Sequence, residues 1–123
     1  MLLKDFYTVA KLENVSEGKY RAIVHLNNKH EIFKGHFPGN PVTPGVCMMQ
    51  IIKELSQEIL GSSLLMTSCS NVKFMALINP DKNPELNLEL EISGGLETEV
   101  KVKNTTSFED TVALKLTNTY KKA

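Results

Sequence analysis

The chain has 123 residues, which suits one ordinary domain and leaves no room for a second core of useful size. With 41% hydrophobic and 23% charged residues, its composition is that of a globular protein and argues against a disordered chain, a fibre or a disulfide scaffold. Basic and acidic residues both number 14, so the charge gives no reason to expect a nucleic acid or a membrane as partner. We therefore predict one domain over residues 1–123.

The start of the chain predicts a cytoplasmic protein. Its first three residues are followed at once by Lys4 and Asp5, so no signal-peptide apolar region develops, and no apolar run elsewhere is long enough to span a bilayer. Cys47 and Cys69 stand far apart without the CxxC or Cys/His spacing of a metal site, which favours two buried free thiols. No metal and no other cofactor is implied.

The predicted elements begin with two strands, 6–12 and 20–26, which alternate apolar and polar residues as half-buried strands do. A loop rich in glycine and proline follows, from His30 to Pro44. Proline restricts its own φ and also the conformation of the preceding residue, so a loop of this composition is pre-ordered. It can hold one side chain in one place, and His36 is that side chain.

A helix is predicted from Pro44 to Leu60. Thr43 and Pro44 provide an N-cap and a first-turn proline, and Gly61 provides a stop. On a helical wheel the apolar side, expected to face the core, gathers Met48, Ile51, Ile52, Leu55 and Ile59. The polar side gathers Gln50, Lys53, Glu54 and Gln57.

The rest of the chain predicts further strands, with turns at 94–95 and at 104–107. The predicted strands are 72–78, 86–92, 100–102 and 112–116, and the last three form a meander. Five or six antiparallel strands and one helix indicate an α+β domain in which the sheet curls around the helix. The polar edges of this sheet favour pairing with a second copy.

His36 and Gly45 together form a candidate site. Glycine just inside the helix start leaves a backbone N–H uncovered at the positive end of the helix dipole, where a polarised carbonyl could dock. A histidine base near such an N–H is the pair needed to take a proton α to a thioester carbonyl, or to attack a thioester. The alternative is a structural loop with a hydrogen-bonded histidine.

The stretch from His30 to Val46, HEIFKGHFPGNPVTPGV, resembles the signature of the hot-dog-fold 3-hydroxyacyl-acyl-carrier-protein dehydratases of fatty-acid synthesis. Residues 72–74 and 79–81 resemble the strand and turn that follow the helix in this family. The resemblance implies a hot-dog fold, in which a curved antiparallel sheet wraps around one central helix. It also implies a dimer whose sheets join edge to edge, with two active sites shared between the protomers.

The resemblance implies a role for each matching residue. His36 would take the C2 proton of a (3R)-3-hydroxyacyl thioester, the Val42 carbonyl would orient its imidazole, and the Gly45 N–H would polarise the thioester carbonyl. Phe37 joins Val42 and Gly45 as a substrate-binding residue. The implied reaction is reversible dehydration to a trans-2-enoyl thioester on acyl carrier protein or coenzyme A, with the acyl chain in an apolar tunnel beside the helix.

The chain departs from the family on the helix, where the catalytic carboxylate expected fourteen residues after His36 is Gln50. An amide has no carboxylic proton to deliver, and loss of a general acid costs on the order of 10²- to 10⁴-fold in rate. Glu54, one turn further along the polar face, is the candidate substitute. The alternative for Glu54 is a solvated surface carboxylate.

Four functions therefore stay open for this sequence. The first, which the sequence favours, is a 3-hydroxyacyl-acyl-carrier-protein dehydratase, and the second is a hot-dog thioesterase. The third is a non-catalytic acyl-binding subunit, which the loss of the carboxylate at Gln50 favours. The fourth is a heterodimer in which this chain lends His36 to a related hot-dog protein that supplies the carboxylate. The first three are expected as a homodimer or a higher homo-oligomer.

Overall fold

A six-stranded antiparallel sheet and one long helix make up the fold in this computed structural model, which describes residues 5–35 and 41–123. The helix α1 spans Gly45–Leu60, and a short 3-10 helix precedes it at Glu31–Gly35. The strands are β1 (Tyr7–Ser16), β2 (Lys19–Leu26), β3 (Leu64–Phe74), β4 (Glu85–Gly94), β5 (Val100–Phe108) and β6 (Thr111–Lys122). The predicted α+β architecture, with a curved sheet around one central helix, is confirmed.

The strands lie in the order β1-β2-β4-β5-β6-β3, and all neighbours pair antiparallel. Consecutive strands β4, β5 and β6 form the predicted meander. β1 and β3 are the two outer strands, so each presents one unpaired row of backbone groups within the described part of the chain.

The helix and the inner face of the sheet share one core. Alternate residues of β4 point inward, and Leu86, Leu88 and Leu90 are fully buried against the helix side. Burial of each such side chain stabilises the fold by about 1.5–3 kcal/mol. The buried residues of α1 are Cys47, Met48, Ile51, Ile52, Leu55 and Ser56. The predicted apolar stripe is confirmed except at Ile59, which is only partly buried.

The ends of α1 match the sequence prediction at one end only. Gly61 ends the helix in the left-handed conformation, with φ 66°, and its N–H donates to the Gln57 carbonyl at 2.8 Å. The helix begins at Gly45, and its N-cap is Pro44 rather than Thr43. The Thr43 hydroxyl is buried without a hydrogen-bond partner among the described residues, and the Thr43 N–H donates to the Ile78 carbonyl. The predicted N-cap was therefore wrong, because Thr43 lies one residue too early and faces inward.

Two predicted boundaries in the sheet were also wrong. The strand predicted at 72–78 is β3, which begins at Leu64 and ends at Phe74; almost all its side chains are exposed, so alternation did not reveal it. The turn predicted at 104–107 lies inside β5. There Asn104 and Thr106 are buried, and their side chains hydrogen-bond each other at 2.8 Å, so these polar residues suit a strand. The turn comes instead at Glu109, whose φ is 53°.

The two cysteines are free, as predicted, and one of them is less buried than expected. Cys47 is buried and Cys69 is half-buried, and burial raises the pKa of both thiols.

Within residues 5–35 and 41–123, no helix combines the length and the apolar character needed to cross a membrane.

Candidate active site

The residues predicted for the site divide into two groups. Val42, Gly45, Gln50 and Glu54 are described, and they lie in the segment just before α1 and on α1 itself. His36 and Phe37 lie outside the described residues, so the roles assigned to them stay predictions.

An apolar cavity of about 740 Å³ opens beside the start of α1. Its walls come from the segment before α1, the first turns of α1, and the end of β3 with the segment that follows. The lining residues are Val42, Thr43, Pro44, Gly45, Val46, Met48, Met49, Phe74, Met75, Ala76, Leu77 and Ile78. The volume and the apolar lining suit an acyl group, and the flexible methionines can adapt to its shape. Two predicted substrate-binding residues, Val42 and Gly45, thus share one cavity.

Gly45 is the first residue of α1, and the first N–H groups of a helix have no carbonyl partner within the helix. Among the described residues no side chain caps this end of α1. The Cys47 N–H already donates to the Pro44 carbonyl at 3.0 Å, so the N–H groups of Gly45 and Val46 form the donor site at the positive end of the helix dipole. This is the arrangement needed to polarise a thioester carbonyl.

The Phe74 ring lies against Gly45 and limits the room for a side chain at this position. A Cβ on residue 45 would lie 2.7 Å from Phe74 Cζ and 3.1 Å from Cε1, which is too close without movement of the ring. The ring is otherwise 61% exposed at the mouth of the cavity. The cavity wall at the start of α1 thus depends on Gly45 and Phe74 together.

Gln50 and Glu54 are joined in a hydrogen-bonded chain that continues to Tyr7. Gln50 Nε2 donates to Glu54 Oε2 at 2.9 Å, and the Tyr7 hydroxyl donates to Glu54 Oε1 at 2.7 Å. All three residues are partly buried. Glu54 is therefore not the freely solvated carboxylate of the alternative interpretation, and both of its oxygens are engaged within the chain.

The electrostatic surroundings keep the Tyr7 hydroxyl protonated. Burial raises the pKa of Tyr7 well above its usual range, and the hydrogen bond and negative charge of Glu54 raise it further. The charge of Glu58 acts in the same direction. Tyr7 is therefore a permanent donor to Glu54 at any ordinary pH.

The base of the loop that carries His36 is anchored by aromatic contacts. Phe6 is fully buried, and its ring stacks on Phe33 with centroids 5.3 Å apart. The His30 and Phe6 rings meet edge to face with centroids 5.3 Å apart, and His30 Nδ1 accepts a hydrogen bond from the Ile32 N–H. Because Phe33 belongs to the 3-10 helix, these contacts fix the chain directly before the predicted base.

Sequence reasoning missed Tyr7 and the contact of Phe74 with Gly45. Tyr7 is separated from Glu54 by 47 positions, and an aromatic residue at the start of a strand does not reveal such a pairing. Phe74 stands in the segment 72–74 that matches the family, but its place over Gly45 depends on where β3 ends.

Comparison with known proteins gives a consistent family. Residues 12–116 match the sequence model of the ApeI-like family, described as ApeI dehydratase. A curated relative from Clostridium acetobutylicum, named 3-hydroxyacyl-[acyl-carrier-protein] dehydratase FabZ, is 32% identical over 101 residues, covering 75% of this chain and 66% of the relative. A protein of the same name from Pediococcus pentosaceus is 29% identical, covering 72% of this chain and 67% of the relative. The chain thus spans about two thirds of the length of these relatives.

Solved structures share the fold over nearly the whole chain. "The Dehydratase Heterocomplex ApeI:P from Xenorhabdus doucetiae" matches with a TM-score of 0.74 and 20% identity, covering 94% of this chain and 97% of that one. A hypothetical thioesterase with coenzyme A from Streptococcus pneumoniae matches with a TM-score of 0.69 and 14% identity, covering 99% and 91%. At these identities the likeness shows the fold alone, and the fold is the hot-dog fold expected from the sequence.

Proposed function

The chain belongs to the ApeI-like dehydratase family, and we propose that it catalyses the reversible dehydration of (3R)-3-hydroxyacyl thioesters to trans-2-enoyl thioesters. The observation that carries this proposal is the apolar cavity of about 740 Å³ at the start of α1, where Gly45 presents the donor end of the helix. An acyl group in this cavity places its thioester carbonyl beside those donors.

The proposed reaction removes one water from C2 and C3 of the acyl chain. The Gly45 N–H draws electron density into the thioester carbonyl, which makes the C2 proton more acidic. His36 takes that proton, the C2–C3 double bond forms, and the C–O bond at C3 breaks. The departing oxygen needs a proton to leave as water, and the imidazolium formed at His36 can return the one it has taken.

We take the substrate to be carried on acyl carrier protein. The FabZ relatives are named for acyl-carrier-protein substrates, and this supports the same carrier here. Coenzyme A thioesters are the alternative.

We also take residues 1–123 as one hot-dog domain, because the helix and all six strands share one core. The cytoplasmic location expected from the sequence stays a prediction.

The test is the interconversion of a short 3-hydroxyacyl thioester and its enoyl thioester by the purified protein. We expect turnover in both directions by the wild type, and a loss on the order of 10²-fold or more in His36→Ala. An unchanged unfolding temperature of the variant is the control for folding. Hydrolysis of the thioester without hydration of the enoyl group would instead identify a thioesterase.

We further propose that the working unit is a dimer joined at β3. Apolar side chains that are exposed in the single chain concentrate on β3 and the segment after it: Leu65, Met66, Val72, Phe74, Met75 and Leu77. An exposed outer strand with a large apolar surface is typical of an interaction site. A second copy would cover this surface and the mouth of the cavity. The higher homo-oligomers expected from the sequence would contain this dimer.

A heterodimer is the second candidate, and the bonding of Glu54 favours it. Because both Glu54 oxygens are engaged within the chain, a carboxylate for the shared site could come from a related hot-dog protein. One structural neighbour is itself a heterocomplex of dehydratases. Co-expression with a related protein that carries a carboxylate at the position of Gln50 would then give more turnover than this chain alone.

A further inference from the structure

We propose that Tyr7 and Glu54 are positioning residues, which hold Gln50 so that its side-chain oxygen rather than its nitrogen is free for the substrate hydroxyl. Gln50 is not among the residues that line the cavity of its own chain, so in the proposed dimer the hydroxyl belongs to a substrate in the cavity of the partner protomer. This inference rests on the proposed function and deepens it, since it says what stands in place of the family's carboxylate. Gln50 then accepts the hydrogen of the C3 hydroxyl and directs the oxygen lone pairs toward the proton source. Glu54 touches Gln50 and not the substrate.

The orientation of the Gln50 amide is given by its hydrogen bond to Glu54. The Gln50 amide nitrogen donates to Glu54 Oε2 at 2.9 Å, as a carboxylate oxygen that accepts hydrogen bonds requires. An amide oxygen in that place would set two acceptors against each other. Because the amide group is planar, its oxygen then points away from Glu54. Gln50 therefore offers an acceptor on the side opposite Glu54.

Glu54 can impose this orientation because it is itself held from two sides. It stands on α1, one turn from Gln50, and its other oxygen accepts the Tyr7 hydroxyl at 2.7 Å. Tyr7 belongs to β1, an element separate from the helix. A carboxylate tied to both elements cannot rotate freely, so the amide bonded to it loses rotational freedom as well.

The position of Tyr7 is itself fixed by backbone pairing and by the burial of its neighbour. It pairs with Leu26 in the β1–β2 ladder, and its neighbour Phe6 is fully buried. The Phe6 carbonyl also accepts a hydrogen bond from the Asn27 N–H at 2.8 Å. The backbone on both sides of the phenol is thus held, and the hydroxyl stays where Glu54 can receive it.

A first experiment needs no turnover and reads the Gln50 side-chain amide by NMR in the full ¹⁵N-labelled chain. We expect Tyr7→Phe and Glu54→Gln each to shift the Gln50 NH₂ signals and to speed their exchange with water. The Gln57 NH₂ signals are the internal control, because the Gln57 side chain is fixed separately by the Leu64 N–H at 2.9 Å. Gln50 signals with unchanged exchange in both variants would overturn the proposal.

A second experiment is a double-mutant cycle on the dehydration rate. We expect Tyr7→Phe to lower kcat about 10-fold with little change in KM, because the lost bond is one to a charged group. In a Gln50→Ala background the same change should cost nothing further, since no amide is left to orient. Tyr20→Phe, a tyrosine on β2, is the matched control and should keep wild-type kcat.

The outcomes of the cycle distinguish failure of the positioning role of Tyr7 and Glu54 from failure of the proposed dehydratase function. An equal loss from Tyr7→Phe with and without Gln50 would contradict the positioning role. A loss from Glu54→Gln that persists in Gln50→Ala would identify Glu54 as the acid itself and overturn our assignment. Wild-type protein with no turnover on either thioester would contradict the proposed function, and the NMR experiment would then still decide whether the hydrogen-bonded chain exists.

Discussion

At the scale of single residues, the absence of a side chain at Gly45 leaves room for the Phe74 ring. The Gly45 Cα lies against the Phe74 ring, and no larger residue fits there without moving that ring. The ring is an exposed end of a side chain rather than backbone, so it can move at small cost. A larger residue at position 45 should therefore change the shape of the cavity more than the stability of the fold.

Gly45→Ala tests this separation. We expect kcat/KM to fall about 10-fold, because the new methyl group pushes the ring toward the cavity, while alanine improves helix propensity by up to about 1 kcal/mol. The unfolding temperature should therefore change little. Adding Phe74→Leu should recover part of the lost kcat/KM. A large drop in unfolding temperature without recovery would show that Gly45 serves the fold instead.

Two tyrosine hydroxyls, those of Tyr7 and Tyr120, make the stability depend on pH in the alkaline range. Burial raises the pKa of Tyr120 to about 12 from a usual value of 10.0, and the pKa of Tyr7 is raised as well. Both tyrosines have a higher pKa in the folded chain than in the unfolded chain. Their contribution to the free energy of unfolding is therefore complete below pH 10 and is lost as the pH rises further. We expect the free energy of unfolding in urea to fall above pH 10, and to fall less steeply in Tyr7→Phe. An equal slope in the variant would contradict this.

At the scale of elements, the two ends of α1 are built differently. Among the described residues no side chain caps the start, where the N–H groups of Gly45 and Val46 remain as donors, whereas the end is closed by Gly61 in the left-handed conformation. No atom would meet a Cβ at residue 61 within 4 Å, so a substitution there changes backbone strain and little else. The cap at the carboxyl end can therefore be changed without touching the cavity.

Gly61→Ala should lower the free energy of unfolding by about 1 kcal/mol, because a side chain disfavours positive φ. Gly61→Asn should cost less, since asparagine tolerates this conformation better than alanine does. Urea unfolding measures both, and kcat should stay at the wild-type value. Equal stability of the two variants would show that the backbone relaxes out of the left-handed region.

The sequence predicted those elements whose burial follows a simple period. The stripe through Met48, Ile51 and Leu55 and the alternation of β4 both identified their elements correctly. β3 was misplaced because an outer strand with exposed side chains has no inward alternation to detect. At the site, Gln50 and Glu54 were found from spacing, but Tyr7 was not, because its hydrogen bond joins elements that only the folded chain brings together.

At the scale of the whole molecule, the two outer strands of the sheet differ in their surfaces. Both carry exposed apolar residues, but those of β3 continue into the cavity wall at Phe74 and Met75. The β1 edge instead carries the hydrogen bond to Glu54. We therefore expect a charge introduced on β3, but not one introduced on β1, to disrupt the proposed dimer.

Leu65→Glu should convert the proposed dimer to a monomer, because a charge on β3 opposes burial in an interface. In the single chain Leu65 pairs with Lys121 across the β3–β6 ladder, so the new carboxylate finds an opposite charge and the fold is kept. Val15→Glu on β1 is the matched control. Light scattering after gel filtration measures the mass; a dimer in Leu65→Glu would place the interface elsewhere.

The strand order also sets a sequence of events during synthesis and folding. β3 is made in the middle of the chain, but among the described strands its neighbour is β6, which ends at Lys122. One edge of β3 therefore stays unpaired until β6 has been synthesised, and long-range pairing of this kind slows folding. During that interval the apolar side chains of β3 are open to self-association, so slower pairing of β3 with β6 should increase aggregation.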